Sequence, residues 1–396
     1  MDAKIVLLVK FSILFLLYIS PTKAQEFPPF TEDCRTDAYP PPVNTKVGTY
    51  VLNLDQAPED RWTGLVKPMA DKMKIMIQDI KDLVGIFVNE TKAVNLVDEL
   101  LAPLTDTFPE PYQGELRGIA NATGIPLGEV VLYNIFYEVF TVCTSLVAQD
   151  KTGDLFHARN LDFGLFLGWD VKNQTWALTE RLRPLIINVE YQQGGKTVAK
   201  GVHFAGYIGV ITGMKPGVLS LSMNERFQLD GGFIGIIEWI IGQRDGQWMG
   251  FVLRDAVVKA TDFNSTLQYL TSVDLLAPGY IILGGNSSGE GAIITRSIGT
   301  KADNVKMLDP AHGTWYLVET NYDNWKNPPF FDDRRAPATK CMNTMSQANV
   351  GIKGIFNVLS TKPVRNLLTT YTAMMHVRNG TLDTYLQYCP QPCFPW

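Results

Sequence analysis

The hydrophobic period of the chain changes at residue 143, and that switch restricts the fold more than any other feature. Ahead of it, Met73, Met76, Ile77, Ile80, Leu83, Val84 and Phe87 recur at helical spacing, with Lys72, Lys74, Asp79, Lys81 and Asp82 between them. Further helical patterns cover Val94–Leu104 and, after Gly124-Ile-Pro, Leu127–Phe140. Apolar residues at i, i+3, i+4 and i+7 line one face of a helix. From Cys143 onward the pattern alternates. Cys143–Ala148 and Leu155–Ala158 flank Lys151-Thr-Gly-Asp, which predicts a β-hairpin closed by a glycine turn. Strand patterns continue at Leu185–Tyr191, Thr197–Phe204, Ile208–Thr212, Val218–Met223, Tyr280–Gly284, Ala292–Arg296, Lys306–Leu308 and Trp315–Thr320. Helical patterns interrupt them at Gly235–Ile241, Met249–Lys259, Asn264–Thr271 and Ile355–Leu359. The expected class is α+β with antiparallel sheets: a helical part over 25–142 and a mixed part over 143–396.

Residues 1–24 read as a signal peptide. Ile5–Ile19 is almost wholly apolar, is broken by Lys10, and is followed by Thr22-Lys23-Ala24. It is shorter than the roughly 20 residues of a spanning helix. The chain is expected in a lumenal or extracellular compartment. Six Asn-x-Ser/Thr sequons, at Asn89, Asn121, Asn173, Asn264, Asn286 and Asn379, suit a glycoprotein. The net charge of −5 gives no basic face for nucleic acid. Residues 25–142 carry nine basic and eighteen acidic residues, so the acidity is concentrated in the helical part.

There are five cysteines, and an oxidising compartment favours pairing them. An odd count leaves at least one thiol over. Cys389 and Cys393 bracket Pro-Gln-Pro and can close a tight loop, while Cys34 and Cys341 can join the two ends of the fold; that arrangement would leave Cys143 free. No His or further Cys near Cys389 and Cys393 completes a tetrahedral metal site, and no metal or cofactor is expected.

Cys143 stands where helix gives way to strand. A free cysteine is commonly a small buried hydrophobe. Its hairpin context points further. If the turn lies at Lys151–Asp154, Cys143 faces residues 160–162, which brings Arg159, Asn160 and Asp162 beside it. A guanidinium beside a thiol lowers the thiol pKa, and a carboxylate there can hold an ammonium. The bland alternative is a local ion pair between Arg159 and Asp162. A cysteine nucleophile also needs a base. The chain has four histidines, and His157 shares strand parity with Arg159, which makes it a candidate. A cut between Val142 and Cys143 offers another. It would give Cys143 an α-amine with a reference pKa of about 8, tethered to the thiol itself.

Cys143-Thr-Ser-Leu-Val-Ala-Gln-Asp followed by His157-Ala-Arg-Asn-Leu-Asp-Phe-Gly resembles the N-terminal nucleophile hydrolases related to choloylglycine hydrolase. Later blocks resemble the acid ceramidase branch of that family. They include Asp162-Phe-Gly-Leu-Phe-Leu-Gly-Trp, Phe204-Ala-Gly-Tyr, Asn224-Glu-Arg-Phe, Gly232-Phe-Ile-Gly-Ile-Ile-Glu-Trp, Leu283-Gly-Gly-Asn, Thr320-Asn-Tyr-Asp-Asn-Trp, Asp332-Asp-Arg-Arg and the terminal Cys389-Pro-Gln-Pro-Cys. The resemblance implies an αββα sandwich carrying a helical N-terminal subunit, self-cleavage before Cys143, and a Cys34–Cys341 disulfide holding the two subunits together. It implies Cys143 as nucleophile, Arg159 and Asp162 around its thiol and amine, Glu225 in the site, Asn321 on the oxyanion and Arg334 completing the charged cluster. The implied reaction is hydrolysis of ceramide in the lysosome, with secretion also expected, and N-acylethanolamines or other N-acyl amides as the alternative substrates.

Without the resemblance, Glu225-Arg226 reads as a surface pair, Asn321 as a turn cap, and Asp332 to Arg335 as a solvated charge run. The stretch after Asp162 offers Phe163, Phe166 and Trp169 as lining for an apolar substrate channel, or as ordinary core. A lipid substrate implies a membrane surface as partner, with anionic lipids or a lipid-presenting activator protein. The stripe at Met73–Phe87 either meets lipid or packs inward.

Overall fold

The computed structural model describes residues 31–87, 101–136, 141–163, 169–170, 172–173, 175–227 and 246–393. The signal segment 1–24, Asn89, Phe166, the helical pattern at Gly235–Ile241 and most of that at Val94–Leu104 lie outside the described residues.

The expected hairpin organises the site. Strand β2 (Thr141–Gln149) pairs antiparallel with β3 (Leu155–Phe163), and Cys143 faces Leu161, inside the predicted window. Gly153 supplies the turn at φ 91°, a conformation that costs glycine nothing. Alternation then splits the hairpin into two faces. Cys143, Ser145 and Val147 share one with Leu161, Arg159 and His157, while Val142 and Thr144 share the other with Asp162 and Asn160.

Two sheets stack face to face, and the hairpin belongs to the smaller. A five-stranded sheet runs β13-β2-β3-β14-β15, with β13 at Tyr316–Glu319, β14 at Thr369–His376 and β15 at Thr381–Leu386. An eight-stranded sheet begins with β1 (Thr49–Asn53), β6 (Ile186–Gln193), β7 (Lys196–Phe204) and β8 (Thr212–Lys215), and continues with β9 (Leu219–Glu225), β10 (Gly279–Gly284), β11 (Gly291–Arg296) and β12 (Ala302–Met307). A short ribbon, β4 (Trp169–Asp170) with β5 (Thr175–Trp176), stands apart. The β10 and β11 strands are buried on both faces, as a central sheet position requires. The Cys143 face of the small sheet meets the large sheet: the Ser145 hydroxyl donates to Asn224 Oδ1 on β9 at 2.7 Å.

Helices cover both outer faces. Leu146 and Ala158 pack on Ala338, Met342, Ile355 and Leu359 of α6 (Arg335–Met345) and α7 (Ile352–Ser360). Helices α4 (Met249–Lys259) and α5 (Phe263–Ser272) lie on the large sheet; Asp262 caps α5 by accepting the Ser265 N–H at 2.8 Å. The result is the expected αββα sandwich.

The N-terminal part adds α1 (Ala70–Phe87), α2 (Tyr112–Thr123) and α3 (Leu127–Phe136). It is less purely helical than its periodicity suggests. Its β1 forms the edge of the large sheet, parallel to β6 over five residue pairs. Met73, Met76, Ile77 and Ile80 of α1 are at most 1% exposed, so the stripe packs inward over residues 73–80. Helix α2 approaches the 58–60 turn so closely that a Cβ at Gly118 would sit 1.9 Å from the Glu59 carbonyl oxygen. The Ile208–Thr212 strand is a further correction: the strand begins at Thr212. Tyr207 and Val210 are held by backbone bonds to Phe204 and Gly250 rather than by a ladder.

Candidate active site

Cys143 is fully buried and is the free cysteine of the chain; Cys34 is bonded to Cys341 and Cys389 to Cys393. Three of its atoms are held by three different parts of the fold. Its Sγ accepts a hydrogen bond from Arg159 on the neighbouring strand. Its backbone N–H donates to Asn321 Oδ1 at 2.9 Å, from the loop after β13. Its carbonyl oxygen accepts from Arg334 at 2.6 Å, from the turn before α6.

Arg159 is aimed by the large sheet. Its other terminal nitrogen donates to the Ile211 carbonyl at 2.7 Å and to Thr212 Oγ1 at 2.9 Å. Burial pushes the Cys143 thiol up from its usual range, Arg159 opposes this, and the Asp162 and Glu225 carboxylates reinforce it.

Asp162 lies on the opposite face of the hairpin from the thiol, against Arg334. Its Oδ2 accepts from Arg334 at 3.3 Å and from Asn366 at 3.1 Å, and its buried Oδ1 has no partner among the described residues. Burial raises its pKa to about 6 against the opposing charge of Arg334. Arg334 is also fully buried. It donates from Nε to Asp332 at 2.8 Å and from a terminal nitrogen to Asn321 Oδ1 at 2.8 Å. The solvated charge run is therefore excluded for Asp332 and Arg334. Asn321 returns a hydrogen bond to the Glu225 carbonyl at 2.8 Å. Glu225 ends β9 and is 8% exposed, and Arg226 pairs internally with Asp323 at 2.7 Å. The surface pair and the turn cap are excluded too.

Cys143, Arg159, Asp162, Glu225, Asn321 and Arg334 thus converge from strands and loops up to 191 residues apart. Three neighbours had no site role in the sequence pattern. Asn366 and Asp332 orient the charged pair, and Thr212 orients Arg159. Asn366 lies in a loop with no periodicity to mark it. Asn160, expected beside Cys143, turns away and donates to the Leu359 and Val364 carbonyls. His157 is corrected as a base. Both its ring nitrogens contact serine hydroxyls, and burial drops its pKa to about 3. Phe163 is buried in the same core cluster as Cys143, while Trp169 is half-buried against Trp176 with centroids 5.2 Å apart. Among the described residues no group of His, Cys, Asp and Glu could hold a metal, and no helix is long and apolar enough to cross a membrane.

Residues 143–338 match the family described as linear amide C-N hydrolases, choloylglycine hydrolase family, and the match starts at Cys143. Residues 45–108 match the beta subunit of N-acylethanolamine-hydrolyzing acid amidase. The chain is 50% identical over 376 residues to an acid ceramidase of Bos taurus, covering 94% of this chain and 95% of that one. It is 48% identical over 387 residues to an acid ceramidase of Homo sapiens, covering 97% and 98%. A solved structure of a Caenorhabditis elegans N-acylethanolamine-hydrolyzing acid amidase ortholog is 32% identical, with TM-score 0.52, covering 62% of this chain and all of that one. The chain therefore belongs to the acid ceramidase family, within the linear amide C–N hydrolases related to choloylglycine hydrolase.

Proposed function

We propose that this chain hydrolyses the amide bond of ceramide, giving sphingosine and a free fatty acid, with Cys143 as nucleophile after a cut at Val142–Cys143. The observation that carries the reading is the threefold grip on Cys143 by Arg159, Asn321 and Arg334, in a chain half identical to acid ceramidases.

Maturation uses the same atoms. The Cys143 sulfur attacks the Val142 carbonyl and the amide nitrogen leaves as the Cys143 amine. Water then releases the Val142 carboxylate. The new amine accepts the thiol proton, and Asp162 steadies it as an ammonium. In turnover the thiolate attacks the substrate carbonyl, the ammonium protonates the leaving amine, and water resolves the thioester. The reverse condensation follows the same path. Asn321 aims the Cys143 nitrogen through its amide oxygen, and its amide nitrogen with nearby backbone N–H groups suits the oxyanion. Loss of one such donor typically costs about 100- to 1000-fold. Arg334 holds Asp162, Asn321 and the Cys143 carbonyl in register, and the Glu225 carboxylate completes the charge balance. Phe163, Phe166 and Trp169 are the proposed apolar lining for the acyl and sphingoid chains.

The reading places residues 1–24 as a removed signal, 25–142 as one subunit and 143–396 as the other. The Cys34–Cys341 disulfide joins them. It also places the protein in the lysosome, with some secreted, working on membrane lipid with anionic lipids or a lipid-presenting activator protein. Full-length protein incubated at acidic pH, with its termini mapped by mass spectrometry, tests the mechanism. A new terminus at Cys143, absent in Cys143→Ala, is expected. An uncut active chain would overturn it. Ceramide and an N-acylethanolamine are then compared as substrates, and exclusive release of ethanolamine would replace the ceramide reading.

A further inference from the structure

His157 belongs to the hairpin motif, yet the proposed mechanism gives it no task. It sits on the thiol face, 2% exposed, at the start of an unbroken line of buried side chains. His157 Nε2 lies 2.8 Å from Ser222 Oγ, Ser222 Oγ 3.0 Å from Ser145 Oγ, and Ser145 Oγ 2.7 Å from Asn224 Oδ1. Asn224 Nδ2 lies 3.0 Å from the Glu319 carbonyl and 2.9 Å from the Thr320 carbonyl. The next residue is Asn321, whose amide oxygen receives the Cys143 N–H.

The direction of every proton in this line follows from its far end. Carbonyls only accept, so both Asn224 N–H groups point at residues 319 and 320, and its amide oxygen must accept. Ser145 therefore donates to Asn224. Having spent its one proton, Ser145 accepts from Ser222, and Ser222 accepts from His157. His157 must then carry its proton on Nε2. Its Nδ1 is left as an acceptor 3.0 Å from Ser220 Oγ, whose single proton is shared between that nitrogen and the Gly284 carbonyl 3.2 Å away. A neutral ring is what burial beside Arg159 enforces, and the pKa of about 3 agrees. The opposite tautomer would set two acceptors face to face at Ser222, in a site where an unmade hydrogen bond is costly.

We propose that His157 is a positioning residue: its Nε2–H orders the Ser222–Ser145–Asn224 line, which pins the Glu319–Thr320 backbone and so holds Asn321 on the Cys143 nitrogen. This rests on Asn321 acting on Cys143 as argued above. His157 itself moves no proton in the reaction. Misplacing a reacting group by about 1 Å can cost about 100-fold, so a loosened Asn321 is enough to slow both self-cleavage and turnover.

The test compares His157→Gln, His157→Phe, Ser145→Ala and the double variant His157→Phe/Ser145→Ala in full-length protein. Self-cleavage rate, kcat, KM and thermal midpoint are read for each. Gln can present an N–H near the position of Nε2; Phe cannot. His157→Phe and Ser145→Ala are each expected to slow cleavage and kcat about ten- to 100-fold, with KM within about twofold. The double variant should be no worse than the poorer single one, because both break one line. His157→Gln should recover most of the rate. If His157→Gln is as slow as His157→Phe, or if the losses multiply in the double variant, the proposal fails. It also fails if folded Ser145→Ala keeps the wild-type rate. Asn321→Ala separates the two readings: cleavage intact in Asn321→Ala sinks the role of Asn321 itself. Slow cleavage there, with normal His157→Phe and Ser145→Ala, sinks only the positioning line.

Discussion

Glu319 offers a measurement of what the buried polar layer costs at neutral pH. It ends β13, is fully buried, and receives the Thr320 N–H on Oε1 at 3.0 Å. The nearest cation, an Arg335 nitrogen, is 4.0 Å away. Burial dominates and raises the carboxyl from 4.5 to about 7. A raised folded pKa means the native state holds its proton more tightly than the unfolded chain. The stabilisation is fully present below pH 4.5 and is lost as the pH rises through about 7. At about 1.4 kcal/mol per pKa unit, the loss across that window is about 3 kcal/mol. Glu319→Gln keeps the shape and the acceptor and removes the titration. Urea midpoints of Cys143→Ala, which stays uncut, and of Cys143→Ala/Glu319→Gln should agree near pH 4.5. Near pH 7.5 they should diverge, with the Gln variant more stable by about 3 kcal/mol. A constant difference across the window would refute the argument, as would a parent whose midpoint falls no more steeply than the variant's.

Three more outcomes are expected. Arg159→Met removes the stronger of the two cations, Arg159 and Arg334, that oppose burial of the Cys143 thiol, so its pKa should rise further. Iodoacetamide should then label Cys143 more slowly at each pH, whereas an unchanged labelling profile would contradict the contact. Glu115→Gln leaves Arg254 with a weakened bidentate partner, held now at 2.5 and 2.7 Å. Breaking such a pair costs about 3–5 kcal/mol, read as a lowered urea midpoint. Glycopeptide mapping should find sugar at Asn121, Asn173, Asn264 and Asn379, which are exposed, and least at Asn286, which is half-buried.

The hairpin was legible because its constraint is local. A glycine turn and a period of two fix which residues oppose Cys143, and the observed pair with Leu161 follows from counting. Which face each residue takes is equally a matter of parity. The pattern could not give the company those faces keep. Asn366 reaches Asp162 from 204 residues away, and β14, which pairs with β3, is itself a long-range partner. Strands β14 and β15, the edge strand β1 and helix α6 were all absent from the periodicity reading. For α6 the cause is its sequence. Arg335-Ala-Pro-Ala-Thr-Lys-Cys-Met has few apolar residues, and it folds as a helix because Ala338, Cys341 and Met342 pack under the small sheet. Ile208–Thr212 erred the other way. It is a short apolar run, and such runs look alike whether they enter a ladder or merely fill a core. The roles of Asn321 and Arg334 came from motif resemblance, because burial of a charged run is a tertiary fact.

The grip on Cys143 also limits what a cut could change. Sulfur, nitrogen and carbonyl oxygen are each held by residues that follow Cys143 in the chain. Cleavage at Val142–Cys143 would leave all three partners attached to the nucleophile's own fragment. What it would release is Val142 and Thr141, now paired with Asp162 and Phe163 in the β2–β3 ladder. The rest of the N-terminal part is anchored elsewhere. Its β1 is laced to β6, Glu115 is paired with Arg254, and Cys34 is bonded to Cys341. The free energy of such a cut would therefore fall on a short stretch of strand in front of a buried thiol, and both fragments would stay in place. That is the arrangement a hydrolase needs if its nucleophile is to be assembled first and exposed afterwards.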